Sequence, residues 1–357
     1  MGELTVFVTG AGALVGQGVL RALRMSGRPM RIVTGDPDHR AAGHWLGDRA
    51  YRIPMAADPR FLERVQEVIA REAVSVVLVG TDVELRIFGE ARGRLEEEFG
   101  VQIVVSPPHV VEIADDKWRT AEFLKENGFA YPRTALSTDR AAVQRLIESV
   151  GLPLFAKPRR GARSVGVGVV QRESEVDRLC GGSTEYVFQE LLPEESGEFT
   201  AGCLVTGGRC GSVVVLRRDL RDGNTYRAYS EGETGFEARI AEIAERLGAY
   251  GPCNLQFRVK DGEPVVFEIN ARFSGTTPIR GMFGHNEVAH LLNHLVDGQE
   301  IPPATVRQGV VLRVWSDIFV GADQFNEFSK SGQLQNPATE PFDFAAAGDS
   351  AGNGRSS

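Results

Sequence analysis

The chain has 357 residues, 42% hydrophobic and 25% charged, with a formal net charge of −8. It has the balance of a soluble globular protein of two or three domains. An acidic chain with no basic block interleaved with aromatics is not built for nucleic acid, and no run of 18 apolar residues predicts a membrane span. Met1-Gly2-Glu3-Leu4 lacks the basic and apolar regions of a signal peptide, and the four cysteines (Cys180, Cys203, Cys210, Cys253) form no CxxC pair. The expectation is a cytoplasmic protein with reduced thiols. Only five lysines occur, Lys117, Lys125, Lys157, Lys260 and Lys330, so a lysine inside a motif stands out.

In chain order, the first ~110 residues alternate apolar strands with helices, as βαβ units on a parallel sheet do. Leu4–Thr9 reads as a strand, Gly16–Met25 as a helix after a glycine turn, and Arg31–Gly35 as a second strand. Phe61–Glu72 carries Phe61, Val65, Val68 and Ile69 at helical spacing. Val74–Gly80 and Val101–Ser106 read as strands around a charged helix near Glu84–Phe99, and Pro107-Pro108 ends the unit. A helix over Asp116–Asn127, closed by Gly128, and another near Arg140–Val150 follow. From Leu152 to about Asn270 the pattern becomes antiparallel, with strands at Leu154–Lys157, Val165–Gln171, Tyr186–Leu191, Glu198–Val205 and Ser212–Arg218. The helix Glu237–Leu247 precedes a last hairpin, Asn254–Val259 with Pro264–Asn270. After about Val320 the residues turn polar and small, which predicts a flexible tail.

Gly10-Ala11-Gly12-Ala13-Leu14-Val15-Gly16 follows a strand and opens a helix, and Asp36 lies 20 residues on, a dinucleotide-binding pattern. It also resembles the start of nucleotide-sugar epimerases. None of the six tyrosines has the lysine four residues on that those enzymes use. A turn for close packing or for a ligand other than a nucleotide is the favoured explanation of these glycines.

Four features fall in order over ~160 residues. Asp116-Lys117 opens a helix. Phe155-Ala156-Lys157-Pro158 then delivers a lysine to a loop containing Arg159, Arg160, Arg163, Ser164 and Gly166. Backbone N–H groups there can cradle phosphate oxygens while Lys and Arg neutralise charge. Third, the extended segment Gln189-Glu190-Leu191-Leu192 can offer backbone groups to an adenine edge, and Glu198 can accept from ribose hydroxyls. Fourth, Glu268, Asn270 and Arg272 alternate on one strand, opposite a strand carrying Gln256. The hard oxygens of Gln256, Glu268 and Asn270 suit Mg²⁺, and Arg272 can reach a transferring phosphoryl group.

This succession, from about Val6 to about Gly298, resembles the ATP-grasp superfamily, in particular one half of the carbamoyl-phosphate synthase large subunit. The Glu268-Ile269-Asn270-Ala271-Arg272 strand after Asn254-Leu255-Gln256 is its most specific part. The resemblance implies α/β plus α+β architecture. A Rossmann-like pre-ATP-grasp domain over 1–112 would precede an N-terminal ATP-grasp subdomain over 113–187 and a C-terminal one over 188–320, with the polar tail at 321–357. It implies that Lys117 and Lys157 bind phosphate, with Arg163, Ser164 and Gly166 in the covering loop. Glu190, Leu191 and Leu192 would form the adenine hinge and Glu198 the ribose ligand. Gln256, Glu268 and Asn270 would hold metal, and Arg272 would steady an acyl phosphate. The cofactors are then ATP and Mg²⁺, with Mn²⁺ as a substitute, and the partners a small carboxylate and an amine or ammonia. A homodimer is compatible with this. Gln256 stands where an acid is more common, and the loop is rich in arginine rather than glycine.

The implied function is ATP-dependent carboxylate–amine ligation through an acyl phosphate. The alternatives are phosphoryl transfer by a kinase on the same fold, an NAD-dependent epimerase or oxidoreductase, and a non-catalytic nucleotide-binding module. Thr81-Asp82-Val83-Glu84 can cap a helix or face substrate, and Arg217, Arg218 and Arg280 are candidates for an acceptor carboxylate. His290 and His294 have ligand spacing on a helix but read as packing or surface. For Gln256 to share a face with Glu268, period two requires an odd loop in the last hairpin, such as Lys260-Asp261-Gly262.

Overall fold

Short β-branched runs separated by amphipathic helices build the first layer. The computed structural model describes residues 3–161, 166–195, 197–314 and 316–341. The runs become β1 (Thr5–Thr9), α1 (Leu14–Met25), β2 (Arg31–Asp36), β3 (Arg49–Arg52), α2 (Phe61–Glu72), β4 (Val76–Val79), α3 (Asp82–Phe99) and β5 (Gln102–Val104). The five strands pair in parallel. Helices cover both faces, so the strands are apolar throughout rather than alternating. Phe7, Val33 and Val77 pack with Val65, Phe88 and Leu95 on one side. Val6, Val8 and Leu78 pack with Val19 and Leu23 on the other, where Leu291 and Leu292 join them from far along the chain.

The next stretch holds α4 (Pro108–Asp115), α5 (Lys117–Glu126), β6 (Thr134–Leu136), α6 (Arg140–Val150), β7 (Leu154–Pro158), β8 (Gly168–Val170), α7 (Glu173–Cys180) and β9 (Tyr186–Glu190). Its strands form an antiparallel sheet in the order β6-β9-β7-β8. Val143, Leu146 and Val176 from the two helices bury one face against Leu154, Ala156 and Phe188. A larger antiparallel sheet follows, from β10 (Glu198–Thr206), β11 (Arg209–Arg221), β12 (Asn224–Ser230), β13 (Gly251–Lys260) and β14 (Glu263–Asn270), with α8 (Glu237–Leu247) before β13. Beyond them come α9 (Thr277–Met282), α10 (Glu287–Asp297) and β15 (Gly309–Leu312), giving the strand order β14-β13-β10-β11-β12-β15.

The observed units differ from the expected boundaries in two places. A cut at 187/188 passes through β9, whose hydrogen bonds belong to the small sheet, so the division falls after Glu190. Helix α5, assigned above to the first ATP-grasp subdomain, and α4, which the expected 112/113 boundary cuts, bury Phe123, Leu124 and Val110 against Leu255, Phe257 and Ile269 of the large sheet.

The expected tail is corrected as well. Residues 318–341 form β16 (Ile318–Phe319), α11 (Ala322–Ser331), β17 (Gln333–Gln335) and β18 (Glu340–Pro341). β17 pairs antiparallel with β3 and becomes an edge of the first sheet, in the order β17-β3-β2-β1-β4-β5. Phe328 and Leu334 are buried against Trp45 and Ala50. A few well-spaced apolar residues are enough to cover a strand edge, although average polarity suggests otherwise. Residues 342–357 lie outside those described. Among the described residues, no helix is long and apolar enough to cross a membrane.

Candidate active site

A cleft of about 360 Å³ lies between the small sheet, the large sheet and the C-terminal ends of β1 and β4. The described residues assigned above to nucleotide, metal or phosphoryl transfer all line it, except Gly166 and the loop arginines Arg159 and Arg160. Arg163 and Ser164 fall outside the described residues. Gly166 has φ +72°, and a Cβ there would lie 3.0 Å from the Pro158 ring, so it shapes the base of the loop rather than the cleft wall.

Strand β7 carries Lys157 into the cleft. The side chain is buried, and among the described residues it has no carboxylate partner within ion-pair distance. Its ammonium instead lies over the rings of Phe267, at 4.6 Å, and Phe155, at 5.1 Å. Burial pushes its pKa down from 10.5 to about 8, with Glu268 opposing and Lys117 adding to the fall. Lys117 stands at the start of α5 and donates to the Gly161 carbonyl at 2.9 Å. Asp116, wholly buried, caps that helix through Trp118 and Arg119 N–H groups and takes the Arg159 guanidinium at 2.9 Å. Burial acts to raise its pKa, but Arg159 and the two amides hold it below the usual carboxylate value. The Asp116-Lys117 motif is thus a clasp that ties a helix of the large body to the end of β7.

The hairpin β13–β14 decides which side chains share a face. Its turn is the two-residue Asp261-Gly262, with φ +54° and +80°, and Lys260 pairs with Glu263. This corrects the expected odd loop. Parity is restored further in by a bulge: Phe257 faces Val266, Gln256 faces Glu268, and Phe267 is the extra residue. The bulge brings Gln256 level with Glu268 and aims Phe267 at Lys157. Glu268 Oε1 accepts from Gln256 Nε2 at 3.1 Å and Asn270 Nδ2 at 2.9 Å. Arg272 donates through its terminal nitrogen to Asn270 Oδ1 at 2.8 Å and through Nε to Asp82 Oδ1 at 2.8 Å. Asp82 opens α3, so it both starts a helix and faces the cleft.

Glu190 is buried and accepts from Lys260 at 3.2 Å, Leu191 is partly exposed at the rim, and the Leu192 carbonyl accepts from Arg258 at 3.1 Å. Glu198 sits between two arginines, because register places it beside Arg218 on β11 and Arg258 on β13. Arg218 donates to Glu198 at 2.7 Å and to Gln256 Oε1 at 2.6 Å. Arg258 and Phe267 were missed by sequence reasoning. Arg258 was within reach, since Asn254, Gln256 and Arg258 alternate toward one face. Phe267 was not, because its direction depends on the bulge.

Of the three arginines considered for an acceptor carboxylate, only Arg218 lines the cleft. Arg217 lies over the Tyr229 ring and pairs with Glu231. Arg280 is buried in an ion pair with Glu287 and donates to Thr276 Oγ1 at 2.7 Å and Ser274 Oγ at 3.1 Å. It braces the loop after Arg272 from beneath, resting on Gly202, where a Cβ would meet its guanidinium at 2.3 Å. The His290 ring lies tilted against that of His285, His294 bonds to the Gln299 carbonyl, and no metal-ligand cluster of His, Cys, Asp and Glu occurs among the described residues. The Gly10–Gly16 turn is packed tightly: a Cβ at Gly16 would strike the Gly10 carbonyl at 2.2 Å. Asp36 accepts from the Gly12 N–H at 2.7 Å, so the carboxylate of the dinucleotide pattern caps the turn itself.

Residues 114–249 match the family described as "RimK-like ATP-grasp domain", and residues 183–318 that described as "ATP-grasp in the biosynthetic pathway with Ter operon". The carbamoyl phosphate synthase large chain of Gemmatimonas aurantiaca is 26% identical over 306 residues, covering 78% of this chain and 27% of that protein. The chain therefore spans about a quarter of the length of the curated relatives it matches. N5-carboxyaminoimidazole ribonucleotide synthetase from Thermus thermophilus has a similar fold, with TM-score 0.66, 17% identity and coverage of 93% of this chain and 94% of that one. The biotin carboxylase domain of Hydrogenobacter thermophilus 2-oxoglutarate carboxylase, solved with MgADP and bicarbonate, gives TM-score 0.65 and 17% identity over 86% of this chain and 73% of that one.

Proposed function

We propose, on the premise that this chain is an ATP-grasp domain protein distantly related to the carbamoyl phosphate synthase large chain, that it is an ATP-dependent carboxylate–amine ligase. The observation that carries this reading is the convergence of Lys157, Glu268, Asn270 and Arg272 on one cleft. Lys117 and Lys157 would neutralise the phosphates, the chain from Glu190 to Leu192 would take adenine, and Glu198 would take ribose. Glu268 fits Mg²⁺ or Mn²⁺, since such cations are held by one or two carboxylates together with substrate phosphates. Gln256 and Asn270 give their N–H groups to Glu268 and their oxygens to Arg218 and Arg272, so both amides would have to turn to join it. Gln256, Glu268 and Asn270 would hold the cation, which when bound supplies charge neutralisation between phosphate oxygens.

A substrate carboxylate held near Arg272 would attack the γ-phosphorus as its bond to the β,γ-bridging oxygen breaks and ADP leaves, and the guanidinium would stabilise charge on the transferred group. The amine or ammonia would then add to the acyl phosphate, and phosphate would leave. The low dielectric around Lys157, set by Phe155 and Phe267, strengthens these interactions.

Ligand-induced stabilisation tests the nucleotide half of the proposal. Saturating MgATP should raise the melting temperature by about 5 °C or more, since a ligand selective for the native state stabilises it by mass action. NAD⁺ and NADH should leave it unchanged. Equal shifts with ATP and NADH would return the glycine turn to the front as a dinucleotide site.

A further inference from the structure

Most charges in the cleft have a partner of opposite sign. Arg272 holds Asp82, Arg218 holds Glu198, Arg258 reaches Glu194 and Glu198, and Lys260 holds Glu190. The two lysines face the phosphate region. Arg313, the residue after β15, is different. Its half-buried side chain lines the same cleft, donates only to the Gly275 carbonyl, and has no carboxylate within ion-pair distance among the described residues.

Its surroundings sharpen the contrast. Gly275 belongs to the Ser274–Thr276 loop that Arg280 braces, so the carbonyl orienting Arg313 is fixed from below. Across from it lies the first turn of α1, where Ala13, Leu14 and Val15 also line the cleft and no side chain caps the helix. Arg21, on the same helix, adds positive charge, and with burial it lowers the affinity of Arg313 for its proton. Burying a guanidinium beside a like charge is unfavourable until an anion arrives. Arg313 shares the cleft with Arg272, Ser274–Thr276 and the start of α1.

Building on the ligase reading, we infer that Arg313 anchors a second anionic group of the substrate. The acid that is activated then carries a carboxylate or phosphate at its far end, besides the carboxylate that reacts.

The experiment uses the full chain saturated with Mg²⁺ and AMP-PNP, so that the phosphate region is filled. Calorimetric titration with succinate, 3-phosphonopropionate and butyrate compares a second carboxylate, a second phosphonate and none. At least one dianion should bind about tenfold or more tightly than butyrate, and which one does identifies the anion. R313Q should remove that advantage and R313K restore part of it, with the thermal shift by Mg²⁺–AMP-PNP unchanged in both. Butyrate binding as tightly as both dianions, or a dianion advantage that survives in R313Q, overturns the inference. Absence of any shift with Mg²⁺–AMP-PNP would instead count against the ligase reading itself, which separates the two failures.

Discussion

Lys157→Met should yield a protein that is more stable than wild type at pH 7 and has lost its nucleotide. The lysine is buried with its pKa lowered from 10.5 to about 8, chiefly by desolvation, so the folded state disfavours its charge. The sign follows directly. Below pH 8 the group is protonated in both folded and unfolded chains and the penalty is complete; between pH 8 and 10.5 the unfolded chain binds more protons, so wild-type stability rises with pH. A tenfold change in proton affinity corresponds to about 1.4 kcal/mol. Methionine, of similar length and without charge, should therefore add about 1–3 kcal/mol at pH 7, the net fall already including the attraction of Glu268. Nucleotide affinity should fall by about two orders of magnitude or more, as for a lost charge-assisted contact in a dry site. Wild-type affinity for MgATP should also weaken by up to about tenfold for each further step of one in pH above 8, with no such dependence in the variant. Denaturant unfolding and nucleotide titration across pH 7–10 check both halves. A variant less stable than wild type that still binds MgATP would mean that Lys157 is a structural cation.

Arg272→Ala should separate binding from chemistry. Its guanidinium is held by Asp82 and Asn270 rather than by the Glu190–Leu192 segment, and its loss frees the Asn270 oxygen for the cation, so MgATP affinity should fall by no more than about threefold. Turnover, measured as ADP release in the presence of carboxylate and amine pools, should drop by about 10²–10³, the usual loss when one donor to a developing charge is removed. Asp82 would be left facing the cleft without its cation, so the double variant with Asp82→Asn should recover any lost stability but none of the lost turnover. Weakened ATP affinity with unchanged turnover would assign Arg272 to the nucleotide rather than to the transferred group.

Much of this architecture was legible because local signals and tertiary demands agreed. Phe61–Glu72, Arg140–Val150 and Glu237–Leu247 have the bounds their periodicity predicts, each with a buried apolar stripe. The alternation of Glu268, Asn270 and Arg272 was readable for the same reason. What escaped was non-local. β12, β15 and β17 are short or polar segments whose strand character comes from the neighbours they pair with. The parity of the last hairpin was judged from its turn, whereas a bulge several residues away sets it. Arg313 looks like one among many arginines until the strand β15 and the loop after Arg272 bring it to the cleft. Asp36 has the spacing of a dinucleotide pattern, yet its carboxylate is taken by the Gly12 amide.

The central claim is that a carboxylate is activated by phosphorylation before the amine adds, and oxygen transfer tests it most directly. The enzyme would be supplied with MgATP, hydroxylamine as a small nucleophile, and a carboxylic acid pool labelled with ¹⁸O in its carboxyl groups. The account predicts a hydroxamate formed in equal amount with ADP and one ¹⁸O atom in the released phosphate, visible by its shifted ³¹P resonance. ADP formed without hydroxylamine dependence, together with a stable phosphorylated product, or phosphate free of ¹⁸O, would contradict it.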